Sequence, residues 1–145
     1  MSATKLTENL GILLAGTARA WRTRLDQRLK PLGLSQAKWR VLWHLSKSGD
    51  GVVQRELAES LGVEGPTVVR LLDRMTEDGW IERRDSTHDR RSKTVHLTEK
   101  AQCVTKQIES IALRLRGELL ADIPREELVQ CMEVLQKIKL KAEQL

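Results

Sequence analysis

The stretch from Gln54 to Asp73 restricts the fold of this chain more than any other. It reads as two short helices, the first from Gln54 to Leu61 and the second opening at Gly65-Pro66 and running to Gly79. Helices that cross steeply after so short a connection need a small residue on the first, a residue tolerant of positive φ at the turn, and apolar residues that lock the angle. Ala58 is the small contact, Gly62 the turn, and Leu57, Leu61, Val63, Val68 and Leu71 fall where the pair packs. Proline suits the first helical position, where its missing N–H would have no partner, and Gly79 suits the far end. This is helix-turn-helix spacing.

The residues that follow give the pair a neighbour. Trp80 and Ile81 lead into a charged run from Glu82 to Lys93, after which Val95 and Leu97 alternate with Thr94 and His96. Two short strands about a polar tip make a hairpin. Its tip region holds Arg83, Arg84, Asp85, His88, Asp89, Arg90, Arg91 and Lys93. A basic β-loop beside a reading helix is a wing, so the expected fold class is mainly α with a small β-hairpin wing, a winged helix-turn-helix.

Long amphipathic helices flank this reader. Leu6, Leu10, Leu14, Ala18, Trp21, Leu25 and Leu29 recur three or four residues apart on one helix that ends before Pro31. Ser35 can cap a second helix through Trp39, Val41, Leu42 and Leu45, stopped by Gly49-Asp50-Gly51. Beyond the hairpin, Thr98 can cap a helix carrying Val104, Ile108, Ile111 and Leu115, and a last helix starts at Pro124 with Leu128, Cys131, Met132, Leu135 and Ile138 on one side. The outer stripes lie beyond the compact reader and need a partner. The expected organisation is one domain over residues 1–145, with dimerisation helices at about 1–33 and 99–145 flanking a winged helix-turn-helix at about 35–98. The alternative is that the stripes close on their own subunit.

Composition narrows the function. At 145 residues, 40% hydrophobic and 31% charged, the chain suits one soluble domain with no spanning segment. Leu10 to Ala15 is a short apolar stretch preceded by Glu8, unlike a secretory signal. Cys103 and Cys131 form no CxxC pair and no zinc spacing, so a reducing cytoplasm is expected, no metal is called for, and both thiols read as buried small apolar residues. Gly-rich phosphate loops and nucleophile elbows are absent, and His44, His88 and His96 lack an evident catalytic partner, so an enzyme is not expected. Net charge is +5, but residues 53–100 carry nine Lys/Arg against ten Asp/Glu. Bulk charge therefore does not make this third a DNA binder, and the placement of single arginines must.

Pro66, Thr67 and Arg70 lie in the N-terminal half of the second helix, the part that meets base edges in a major groove. Arg70 can fork onto guanine or clamp a phosphate. Taken alone, Arg70 and Arg74 beside Asp73 and Glu77 could equally be a solvated face. In the wing, Arg90 or Arg91 can enter the narrow minor groove, and Asp89 would fix the loop by bonding within it or to a reading-helix arginine. The bland alternative for Asp89 is an ordinary turn aspartate.

The run LAESLGVEGPTVVRLLDRMTEDGWIERRDSTHDRRSKTVHLTEKA, Leu57 to Ala101, resembles the multiple-antibiotic-resistance regulator (MarR) family and looks closest to its SlyA-like branch. Its Asp-Arg-Arg wing motif followed by Val-x-Leu-Thr is the most specific part; the resemblance extends to Trp21–Trp39 and the helical tail. It implies a homodimer whose first and last helices interlock. It also implies double-stranded DNA as partner at pseudo-palindromic promoter sites, with the positions of Arg70, Pro66 and Thr67 facing the groove and Arg90 in the minor groove. Ala101 stands where many members have glycine.

The resemblance also implies no cofactor but a small aromatic carboxylate effector such as salicylate that weakens DNA binding. Trp39 and Trp43, four residues apart on one helix face, with Arg22 or His44 as a polar anchor, are the candidate pocket. Core packing is the alternative for either tryptophan. The rival to the regulator reading as a whole is a winged-helix module that binds a protein and no specific DNA.

Overall fold

The structure is a computed structural model and describes residues 1–49, 51–86 and 92–145. It falls into two units, residues 1–113 and residues 114–145.

The first unit opens with α1 (Ala3–Leu29), whose N-cap Ser2 accepts a hydrogen bond from the Lys5 N–H at 3.3 Å. A single 3₁₀ turn, Lys30–Leu32, follows, with proline near its start and Gly33 in the left-handed region at its end. Helix α2 (Gln36–Ser48) is capped as expected by Ser35, which accepts from the Lys38 N–H at 3.3 Å. Then come β1 (Val52–Val53), α3 (Gln54–Leu61), α4 (Gly65–Glu77), β2 (Ile81–Asp85), β3 (Lys93–Leu97) and α5 (Glu99–Leu120), which begins in the first unit and ends in the second. The second unit is completed by α6 (Arg125–Gln144).

The sheet is antiparallel in the order β1-β3-β2. The hairpin is thus the expected β2–β3 pair, with Arg83 opposite Val95 and Asp85 opposite Lys93. Strand β1, which pairs Val52 with Val95, is an addition to the sequence reading.

One core joins the elements of the first unit. Leu29, Leu34, Trp39, Leu42 and Leu45 meet Leu57 of α3, Val68, Leu72 and Met75 of α4, Ile81 and Val95 of the sheet, and Ala101 and Ile108 of α5. Each fully buried Leu, Ile or Val among them stabilises by about 1.5–3 kcal/mol relative to exposure. The Trp39 indole N–H donates to the Asp26 carboxylate at 3.2 Å, tying α2 to α1 without leaving that donor unpaired in the core.

The end of α4 is held from several sides. The Gly79 N–H donates to the Thr76 carbonyl and the Trp80 N–H to the Met75 carbonyl, the paired bonds of a Schellman turn, with Gly79 at φ 80°. Thr98 caps α5, accepting from the Ala101 N–H at 3.2 Å, and its hydroxyl donates to the Gly79 carbonyl at 2.7 Å. Lys100 donates to the Asp78 carbonyl at 2.8 Å and lies 4.0 Å over the Trp80 ring, while Lys38 of α2 pairs with the Asp78 carboxylate at 3.2 Å.

Two sequence expectations are corrected. Val63 is exposed rather than packed between the helices, because the turn leaves a groove of about 360 Å³ there, lined with Ala58, Val68 and Val69. Cys103 and Cys131, read from sequence as buried, are exposed in the single chain. On α5 the inward face is Ala101, Thr105, Ile108 and Ala112, and Cys103 points about 200° round the helix from Ala101. On α6 no residue is buried.

The outer helices carry apolar surface that the chain leaves open: Leu6, Leu10 and Leu14 on α1, and Val129, Met132, Leu135 and Ile138 on α6. Among the described residues, no helix is long and apolar enough to cross a membrane, and no cluster of three or more His, Cys, Asp or Glu could hold a metal.

Candidate nucleic-acid interface

Helix α3 ends at Gly62, whose φ of 67° any other residue would adopt at a cost. Here too the paired Schellman bonds form, from the Gly62 N–H to the Glu59 carbonyl and from the Val63 N–H to the Ala58 carbonyl. Arg40 of α2 adds a bond to the Leu61 carbonyl at 3.4 Å, so a carbonyl at the end of α3 finds a partner in the preceding helix. With α3 stopped in this way, Gly65-Pro66 starts α4 on a new line.

Helix α4 is anchored by Val68, Leu72 and Met75, all essentially fully buried at helical spacing. Anchoring that face fixes the opposite one: Pro66, Thr67, Arg70 and Arg74 are exposed. Among the described residues Arg70 has neither a hydrogen-bond partner nor an ion pair. A cation held outward on a rigid helix and left unneutralised by described neighbours is available to an external anion.

The hairpin stands beside this helix. The Arg83 guanidinium of β2 donates to the Asp73 carboxylate of α4. The other described cations of the hairpin pair within it, Arg84 with Glu82 at 3.1 Å and Lys93 with Asp85. The Ser86 N–H donates to the Ser92 carbonyl at 3.0 Å, closing the described part of the hairpin. Asp89, Arg90 and Arg91 lie outside the described residues.

The pocket candidates are separated by environment. Trp39 belongs to the core with its N–H bonded to Asp26, the alternative weighed for it from sequence. Trp43 is half-buried against the same core, with Lys47 4.7 Å over its ring, and Arg22 is exposed on α1. His44 bonds the Ser48 hydroxyl at 3.2 Å. None of Arg22, Trp39 and Trp43 lines the groove between α3 and α4, whose only amide side chain, Gln54, has a buried Oε1 without a partner among the described residues. The Asp73–Arg83 link was missed from sequence: Asp73 reads there as part of a mixed charged face with Arg70 and Arg74, and its partner lies on another element.

The model of the MarR family matches residues 32–92, the stretch from the end of the 3₁₀ turn through the hairpin. Over 94% of this chain and 99% of its own length, the solved structure of the transcriptional regulator PA3341 is 47% identical and superposes with a TM-score of 0.87. The chain belongs to the MarR family. It is a MarR-family transcriptional regulator with the winged-helix fold. Ligand-free wild-type MarR from E. coli is 26% identical with a TM-score of 0.76, covering 89% of this chain and 95% of that one. A cysteine-to-serine mutant of E. coli MarR, solved in complex with operator DNA, is 24% identical with a TM-score of 0.79, covering 95% of this chain and 99% of that one. The likeness to these structures runs over nearly the whole chain, from 89% to 95% of it.

Proposed function

We propose that this MarR-family regulator acts as a homodimer that binds double-stranded DNA sequence-specifically at pseudo-palindromic promoter sites in the cytoplasm, and that it belongs to the SlyA-like branch. The observation that carries this reading is the outward face of α4, where Pro66, Thr67 and Arg70, the last without a partner among the described residues, stand on a helix anchored by three buried side chains. A helix of this kind enters the major groove, and a two-fold dimer sets two of them about 34 Å apart, one turn of duplex. Arg90 and Arg91 then reach the minor groove from the wing, with Asp89 holding the loop. The solution of E. coli MarR on operator DNA supports the assignment by fold.

The homodimer reading rests on the open apolar stripes of α1 and α6, where Leu6, Leu10, Leu14, Val129, Met132, Leu135 and Ile138 are exposed. It treats residues 1–145 as one functional domain, with dimerisation helices at about 1–33 and 99–145 and the reader at about 35–98. An aromatic carboxylate such as salicylate is the proposed effector, with Arg22 as anion anchor and Trp43 beside the buried Trp39 as the apolar wall. By moving the two reading helices apart or together, it would spoil simultaneous engagement of both half-sites.

The test is fluorescence anisotropy of wild type and Arg90→Ala on the duplex upstream of the gene itself, across a salt series. Specific binding that Arg90→Ala weakens, with a slope of log affinity against log salt shallower by about 0.9 per lost phosphate contact, is expected. No specific binding by wild type, with partners captured through the protein surface instead, would replace the regulator reading with that of a protein-binding winged helix.

A further inference from the structure

Of the three described cations in the hairpin, Arg84 and Lys93 are neutralised by carboxylates of the hairpin itself, and only Arg83 reaches out of it. Its partner, Asp73, lies on α4 one helical turn beyond Arg70 and next to Arg74. Arg83 is also the middle residue of β2, in register with the fully buried Val95, so its backbone is among the best fixed in the sheet.

We propose that Arg83 is a positioning residue for DNA recognition: through Asp73 it fixes the angle between the reading helix and the wing, and it is not itself a phosphate contact. The proposal rests on the reading that DNA is the partner. Helix α4 and strand β2 are joined in sequence through Asp78, Gly79 and Trp80, and the buried Leu72, Met75 and Ile81 belong to one core. Apolar packing of this kind holds the two elements together without a directional bond between them. The tie at Asp73, about 7.5 Å back along the helix axis from Asp78, adds a directional bond away from that junction and so holds the angle more closely than packing alone. Charge argues the same way. A guanidinium already bonded to a carboxylate brings no net charge to a phosphate, and releasing it would strand the Asp73 anion next to the DNA it is meant to bind.

Positioning and contact differ in the sign of one measurement. Binding of the upstream duplex is measured for wild type, Asp73→Ala, Arg83→Ala, the double alanine variant and Arg83→Lys across a salt series, with thermal melting followed by circular dichroism. A positioning pair predicts that Asp73→Ala and Arg83→Ala each weaken binding by about five- to thirtyfold. It further predicts that the double variant is no worse than the poorer single one, that Arg83→Lys recovers most of the loss, and that the salt slope stays at the wild-type value. A phosphate contact predicts the opposite: Asp73→Ala tightens binding by removing a repelling anion, and Arg83→Ala flattens the slope by about 0.9 per protomer. Either of those results overturns the proposal. If the alanine variants melt early, Asp73→Asn decides, since it keeps the shape and loses the charge: weaker binding at the wild-type salt slope supports the positioning pair, and tighter binding overturns it. Failure of wild type to bind any duplex would instead remove the regulator reading, which is told apart because it appears before any variant is made.

Discussion

Replacing Arg70 with alanine separates the two ways in which α4 could engage DNA, and its expected size follows from where the residue stands. The side chain is exposed, unpaired among the described residues and on the face opposite Val68 and Leu72, so its removal leaves no buried group unsatisfied. Folding stability should change by no more than about 0.5 kcal/mol, since alanine is also a good helix former. In a two-fold dimer the substitution takes two guanidinium groups out of the complex. If both sit on phosphates, binding weakens alike on every sequence and the salt slope falls by about 1.8, at 0.9 per contact. If both fork onto guanine, each costs about 1–3 kcal/mol of discrimination, and preference at that base pair relaxes while binding to scrambled DNA hardly changes. The assay is anisotropy on the upstream duplex and a scrambled duplex at several salt concentrations, with melting curves as the control. Unchanged affinity, slope and discrimination in a variant that melts like wild type would refute the argument that this face of α4 meets DNA.

Other expectations concern the frame that carries this face. Thr98→Val removes both the cap on α5 and the bond to the Gly79 carbonyl, and should cost about 1–3 kcal/mol in urea unfolding at fixed protein concentration. Thr98→Ser keeps both bonds, so a serine variant as unstable as the valine one would show that the hydroxyl is not the cause. On α6, the double substitution Met132→Glu with Leu135→Glu places two charges in the exposed apolar stripe and should shift the solution mass from dimer to monomer, with loss of two-site DNA binding. An unchanged dimer by light scattering would move the interface elsewhere.

What the sequence made legible was local. Ser35 and Thr98 cap helices, and Gly62 and Gly79 end them, because each acts through bonds to residues within a few positions along the chain. The helix-turn-helix was readable for the same reason, its angle being set by Leu57, Ala58 and Val68 at fixed spacing. Strand β1 was not readable: two valines make no period, and their pairing depends on Val95, more than forty residues on. The Asp73–Arg83 tie was hidden in the same way, since nothing in the order of charges says which carboxylate a wing arginine will face. The cysteines were misread because a helix in this chain buries only one narrow face, and Cys103 lies away from it. On α4, Pro66, Thr67 and Arg70 are exposed, whereas the wing residues Asp89, Arg90 and Arg91 lie outside the described residues.

The bonds at the foot of α4 turn that helix into an arm on a fulcrum. Asp78, Gly79 and Trp80 are gripped by Thr98 and Lys100 at the start of α5 and by Lys38 of α2, so the near end of the arm moves when the first turn of α5 moves. Pro66 and Thr67 stand at the far end, about 20 Å away at 1.5 Å per residue. A rigid-body tilt of about 6°, of α4 together with the hairpin tied to it, would carry them roughly 2 Å, enough to lift a donor off a base edge at hydrogen-bonding distance. A small displacement of α5 that carried α4 with it would thus be magnified at the tip of the arm, and in the proposed homodimer the gap between two tips would change by twice that amount.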